Sequence, residues 1–286
     1  MAIVYLILSI TFSTLINLVF RWFKEHDINK LQAIIVNYLV CFIVGFSLSK
    51  EQNLLEHFSA AWFHYCLVLG FLFVAIFYAM ALTTEKIGIS VNAVSSKMAV
   101  VVPVLFAYFF ANEDVNLLFA GGILISLLSI YFISIKKHIE IPRKYYLLPV
   151  VVFLGSGIID TSLKAMESNF GNVVSLSTIS YSIFLGAGIA GSFLYLIKKG
   201  VKLFKTKNIV AGVALGVPNY FSIYFLLSAI AAFKLKSAFV FGINNISIVL
   251  LSTLLSLIIF KEHLSFKNKL GLVLAIFSIL IISYAS

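Results

Sequence analysis

The chain has 286 residues, of which 62% are hydrophobic and only 11% charged, against roughly 25% charged in an ordinary soluble domain. A water-soluble fold of this length has too little interior to hide so much apolar surface. At about 20 residues per span plus a short connection, there is room for about ten membrane helices and no soluble catalytic domain. The net charge of +10 comes in short runs between apolar segments, which suits loops beside anionic lipid and excludes a nucleic-acid patch.

Apolar runs predict helices over 1–20, 31–49, 61–83, 90–111, 116–135, 145–163, 172–197, 209–231, 237–260 and 269–285. Strands are excluded because runs near twenty residues show no alternating polar face. Met1–Phe20 reads as the first span and not as a signal peptide, since no basic residue precedes it and no small-residue cleavage site follows before Arg21. Of the 21 Lys and Arg, 16 fall in the odd-numbered loops, while Lys50, Lys164, Lys234 and Lys236 fall on the other side and Lys97 lies inside a span. The positive-inside rule then makes the chain a multi-pass protein of the plasma (inner) membrane with both termini non-cytoplasmic.

The chain repeats itself. Leu69-Gly70 is followed by Tyr78 at the same distance at which Leu215-Gly216 is followed by Tyr224. Glu113 and Gly122 near the start of span five match Glu262 and Gly271 near the start of span ten, and Asn17-x-x-x-Arg21 matches Asp160-x-x-x-Lys164. The offsets of 143, 146 and 149 residues keep their order, so residues 1–136 and 145–286 are expected to be two five-helix repeats. Five is odd, so the second repeat must be inverted relative to the first, with a cavity near the midplane.

Five plus five spans, a glutamate opening the last helix of each half and a glycine nine residues later resemble the EamA-type drug/metabolite transporter superfamily. The resemblance covers essentially the whole chain. It implies a secondary transporter, often an exporter of amino acids or other small metabolites, working by alternating access. The chain departs from the pattern in reading Asn112-Glu113 and Lys261-Glu262 where relatives often have Gly-Glu, and in carrying Pro103 about one turn late.

Polar residues inside the spans are the candidate site. Lys97 lies seven to nine residues into span four, about 10–14 Å deep at 1.5 Å per residue. An ammonium at that depth costs at least about 2.5–3.5 kcal/mol and needs a wet cavity or an acidic partner. Asn92, Ser95 and Ser96 share its span, and offset 149 pairs Ser95 with Asn244 and Ser96 with Asn245. Adjacent amides are costly in lipid unless they bond a neighbouring helix or line water. Tyr78, Asn219 and Tyr224 complete the expected substrate cavity. Asp160 is followed at helical spacing by Lys164 and Glu167, so they can form a local ladder of paired charges, with Asp160 and Lys164 as a pair serving structure or ion coupling. Pro103 and Pro218 are hinge candidates, since each removes a backbone hydrogen bond. Glu113 and Glu262 suit helix-dipole compensation.

No catalytic constellation, metal-ligand spacing or cofactor motif is present, so no enzyme and no cofactor are expected. The expected partners are the bilayer, a small-molecule substrate, and H+ or Na+, with a monomer or dimer as the functional form. The reading is efflux of small metabolites such as amino acids or organic anions. Two alternatives stay open: an exchanger of phosphorylated or nucleotide-linked sugars, and a non-transporting scaffold or lipid scramblase.

Overall fold

The computed structural model describes residues 1–26, 28–49, 57–86, 89–110, 116–134, 145, 147–199, 204–233, 237–260 and 265–285. The described residues are helical, without strands. Eleven helices follow in order: α1 (Ala2–Glu25), α2 (Lys30–Leu48), α3 (Ala61–Lys86), α4 (Ile89–Met98), α5 (Val101–Phe110), α6 (Leu117–Ser134), α7 (Leu147–Phe170), α8 (Leu176–Lys199), α9 (Thr206–Phe233), α10 (Ser237–Phe260) and α11 (Phe266–Ala285). Seven of them, α1, α2, α3, α7, α8, α9 and α10, are long and apolar enough to cross a membrane. Large apolar side chains lie exposed, among them Leu124, Phe193, Ile258 and Phe277, a surface that suits acyl chains and not water. The chain is an all-helical, multi-pass membrane protein.

Span four differs from its expected continuous form. It is two helices, α4 and α5, separated at Ala99–Val100. The cause is Pro103, which has no N–H to donate to the Ala99 carbonyl four residues back. Val102 N–H takes that carbonyl instead (3.0 Å), and Val100 N–H reaches the Lys97 carbonyl at 3.4 Å. By contrast α9 runs unbroken through Pro218.

Two compact units divide the chain, one of residues 1–78 and 162–232, the other of 79–161 and 233–286. The division falls inside α3 and α7, and each unit takes segments from both sequence halves. In the first unit α2 and α8 lie antiparallel along their whole length. Gln32 donates to the Tyr195 hydroxyl (2.7 Å) at one end, and Ser49 meets Thr178 (2.8 Å) at the other. Small residues permit this closeness: a Cβ built on Gly186 of α8 would lie 2.7 Å from the Leu67 carbonyl oxygen of α3, and one on Gly216 of α9 2.8 Å from that of Asn37. Interfaces between membrane helices are built this way because lipid supplies no hydrophobic drive to hold larger surfaces together. Phe23, Ile28, Ala33, Ala211 and Leu215 form a core cluster at one end of this unit.

In the second unit α6 and α11 form the matching antiparallel pair. Asn116 donates its amide to the Ala285 carbonyl (2.9 Å), Ser129 donates to the Gly271 carbonyl (2.9 Å), and Asn268 donates to the Phe132 carbonyl (3.0 Å). Asn116 also caps α6, accepting the Phe119 N–H at 2.7 Å. Ile130, Ile246, Val249 and Ala275 bring α6, α10 and α11 into one core, with Met98 at the end of α4 packed against it. Glu113 and Glu262 lie outside the described residues.

Candidate functional site

The second unit holds charge in its interior. Lys97 occupies the last turn of α4, where the break before α5 leaves helix carbonyls that favour a cation. Its Nζ donates to Asn245 Oδ1 on α10 at 3.2 Å. The Asn245 side chain also bonds the Asp160 carboxyl of α7, and Lys97 and Asp160 lie within charge attraction of each other. One ammonium, one carboxylate and one amide, from three helices, thus satisfy each other. Taking either ion out of water costs several kcal/mol, and that cost is offset only when the opposite charge and the remaining hydrogen bonds are supplied.

The local sequence brings these groups together. Gly157, three residues before Asp160, lies so close to Val102 of α5 that a Cβ there would be 2.5 Å from the valine Cβ. Any larger residue would hold α7 away from the broken span. Asn244 and Asn245 are both buried. Ser96 adjoins Lys97 in α4, and the side-chain amide oxygen Oδ1 of Asn92, earlier in the same helix, is buried with no hydrogen-bond partner among the described residues. A buried acceptor left open costs about 1–3 kcal/mol.

Of the expected ladder on α7, the Lys164–Glu167 rung is present and the Asp160–Lys164 rung is corrected. Lys164 is buried and forms its ion pair with Glu167 at 3.4 Å, three residues on, whereas the opposite charge acting on Asp160 is Lys97. Sequence spacing favoured the one-turn neighbour, but Lys164 is taken by Glu167, which leaves Asp160 and Lys97 as each other's opposite charge. That argument was open from the sequence once Lys97 required an acid.

The other expected cavity residues fall in the first unit. Asn219 of α9 donates to Asn37 of α2 at 3.0 Å, and Cys41 donates its thiol to the Gly216 carbonyl (3.2 Å). Tyr78 closes this unit's share of α3. Tyr224 stacks on Tyr220 with ring centroids 6.0 Å apart and lines a cavity of about 590 Å³ with Tyr5, Ser49, Ser175, Ser177 and Ser228. Ser177 bridges the Gly45 carbonyl (3.1 Å) and the Tyr220 hydroxyl (2.8 Å). Apart from Tyr224 none of these hydroxyl groups was singled out from sequence, because serine in a span is most often helix–helix glue.

No family model matches the chain. An uncharacterized protein of Haemophilus influenzae is 24% identical over 290 residues, covering 98% of this chain and 97% of its own. A solved crystal structure shares the fold with a TM-score of 0.79 at 13% identity, over 99% of this chain and 96% of that one.

Proposed function

We propose that the protein is a secondary transporter of the EamA drug/metabolite type, moving small metabolites such as amino acids or organic anions by alternating access between its two sequence halves. The observation that carries this reading is the cluster of Lys97, Asn245 and Asp160. Ionisable groups inside membrane spans are expensive, and they persist where they serve a solute or ion path. Lys97 comes from the first half, and Asp160 and Asn245 from the second. Support for ten spans in two inverted repeats comes from the counterpart helices: α2 with α8, and α6 with α11, run antiparallel, as copies inverted in the membrane must. The reading places the chain in the plasma membrane with both termini outside, and leaves efflux as the physiological direction.

Counterflow in proteoliposomes loaded with labelled amino acids, organic acids and neutral metabolites tests it. Exchange of at least one solute above protein-free vesicles, reduced to that background by Lys97→Ala, is expected. A folded protein that exchanges none of them, or a Lys97→Ala variant that exchanges normally, overturns the reading.

A further inference from the structure

Lys97 is not an isolated cation, because Asp160 lies within its charge attraction and the two share Asn245 as a partner. The pair sums to zero charge in a low-dielectric interior. A solute carboxylate arriving at Lys97 while Asp160 stays ionised would leave a net negative charge there, which such surroundings strongly disfavour. Neutrality is kept if Asp160 takes a proton as the carboxylate arrives. The geometry supplies what the protonated acid then needs. Asn245 Oδ1, now held by Lys97 Nζ at 3.2 Å, is released as the ammonium transfers to the solute. A carboxylic O–H requires just such an acceptor. The Asn245 amide already bonds the Asp160 carboxyl, so the same side chain serves both states by exchanging partners. The other groups near Asp160 do not substitute: α10 offers an uncharged amide, and on α7 itself Lys164 is tied to Glu167.

We infer that binding of a carboxylate at Lys97 is coupled to uptake of one proton on Asp160, so that solute and proton occupy the site together and cross the membrane in the same direction. An O–H bond forms on the Asp160 carboxylate, its proton coming from bulk water, and no other covalent bond changes. The inference rests on the transport reading and adds its coupling ion; in the efflux direction the solute's own outward gradient drives the step, and each solute carries one proton out with it.

The test uses the purified full-length protein in nanodiscs with labelled pyruvate, benzoate and N-acetylglycine, each a monoanion between pH 5.5 and 8. Affinity for a bound carboxylate should rise about tenfold for each unit of pH lowered, as one linked proton requires. Calorimetry in two buffers of different ionisation enthalpy should count one proton taken up. Asp160→Asn, which imitates the protonated acid, should fix affinity near the low-pH value and abolish the slope, while Lys97→Gln loses binding. Binding with no pH slope, a slope that survives in Asp160→Asn, or a requirement for Na+ in place of the slope overturns the coupling and leaves carboxylate transport standing. If Asp160→Asn fails to fold, the wild-type slope and proton count decide alone. Should none of the three carboxylates bind, the coupling falls, while exchange of uncharged or cationic solutes in counterflow would still uphold a transporter.

Discussion

Lys97 and Asn245 meet at 3.2 Å although 148 residues separate them. By the internal repeat, Asn245 is the counterpart of Ser96, the residue next to Lys97. On the proposed repeat, the bond joins adjacent positions of counterpart helices. Replacing Asn245 by Leu removes the shared partner of both ions. A hydrogen bond to a charged group contributes about 1.5–3 kcal/mol, so solute exchange should fall at least tenfold, measured by counterflow beside a melting curve that reports folding separately.

The charge attraction between Lys97 and Asp160 predicts a non-additive cycle. Lys97→Ala alone leaves the Asp160 carboxylate without its counter-charge, a loss of about 3–5 kcal/mol. Asp160→Ala does the reverse. Together, Lys97→Ala and Asp160→Ala remove both ions, and thermal melting of the double variant should lie closer to wild type than either single variant. Transport should stay absent in all three.

Adjacent glycines in α6 give a packing test. A Cβ on Gly121 meets nothing within 4 Å, whereas one on Gly122 lies 2.8 Å from Ile282 Cγ1. Gly121→Ala should leave the melting temperature unchanged or raise it, since alanine favours a helix by up to about 1 kcal/mol. Gly122→Ala should lower it by forcing Ile282 aside, with overpacking costs of about 1–3 kcal/mol.

Pro103→Ala restores the N–H that the Ala99 carbonyl lacks. The α4–α5 junction should then heal into one helix, raising thermal stability while slowing exchange if bending at 99–100 belongs to the transport cycle. A variant that melts higher and transports at the wild-type rate would remove Pro103 from the hinge candidates.

Helix type was legible because apolar runs near twenty residues leave no other backbone solution in lipid, and seven helices are long and apolar enough to cross it. The break in span four was less so: Pro103 was visible, but its effect appears a full turn earlier, at the carbonyl it cannot reach. Lys97 and Asn245 were legible as costly groups at matching depth. Asp160 was misassigned because helical spacing reports neighbours along one helix, whereas Lys97 lies 63 residues away on another. Pro218 gave no break in α9 at all, which composition could not distinguish from Pro103. Ser177 and Tyr220 were unreadable as partners, since which faces of α8 and α9 meet is decided by packing.

Counterpart helices that lie antiparallel against each other form a self-complementary surface, the kind two separate identical chains would share. Had the halves stayed separate and identical, every residue near the axis would face its own twin, and an ammonium on one would confront an ammonium on the other. In this chain the positions that the proposed repeat pairs differ. Ile246, the counterpart of Lys97, sits fully buried in an aliphatic cluster, and Asn17 stands where its copy has Asp160. A single positive and a single negative group at such a place requires halves that are not identical, which one polypeptide can supply.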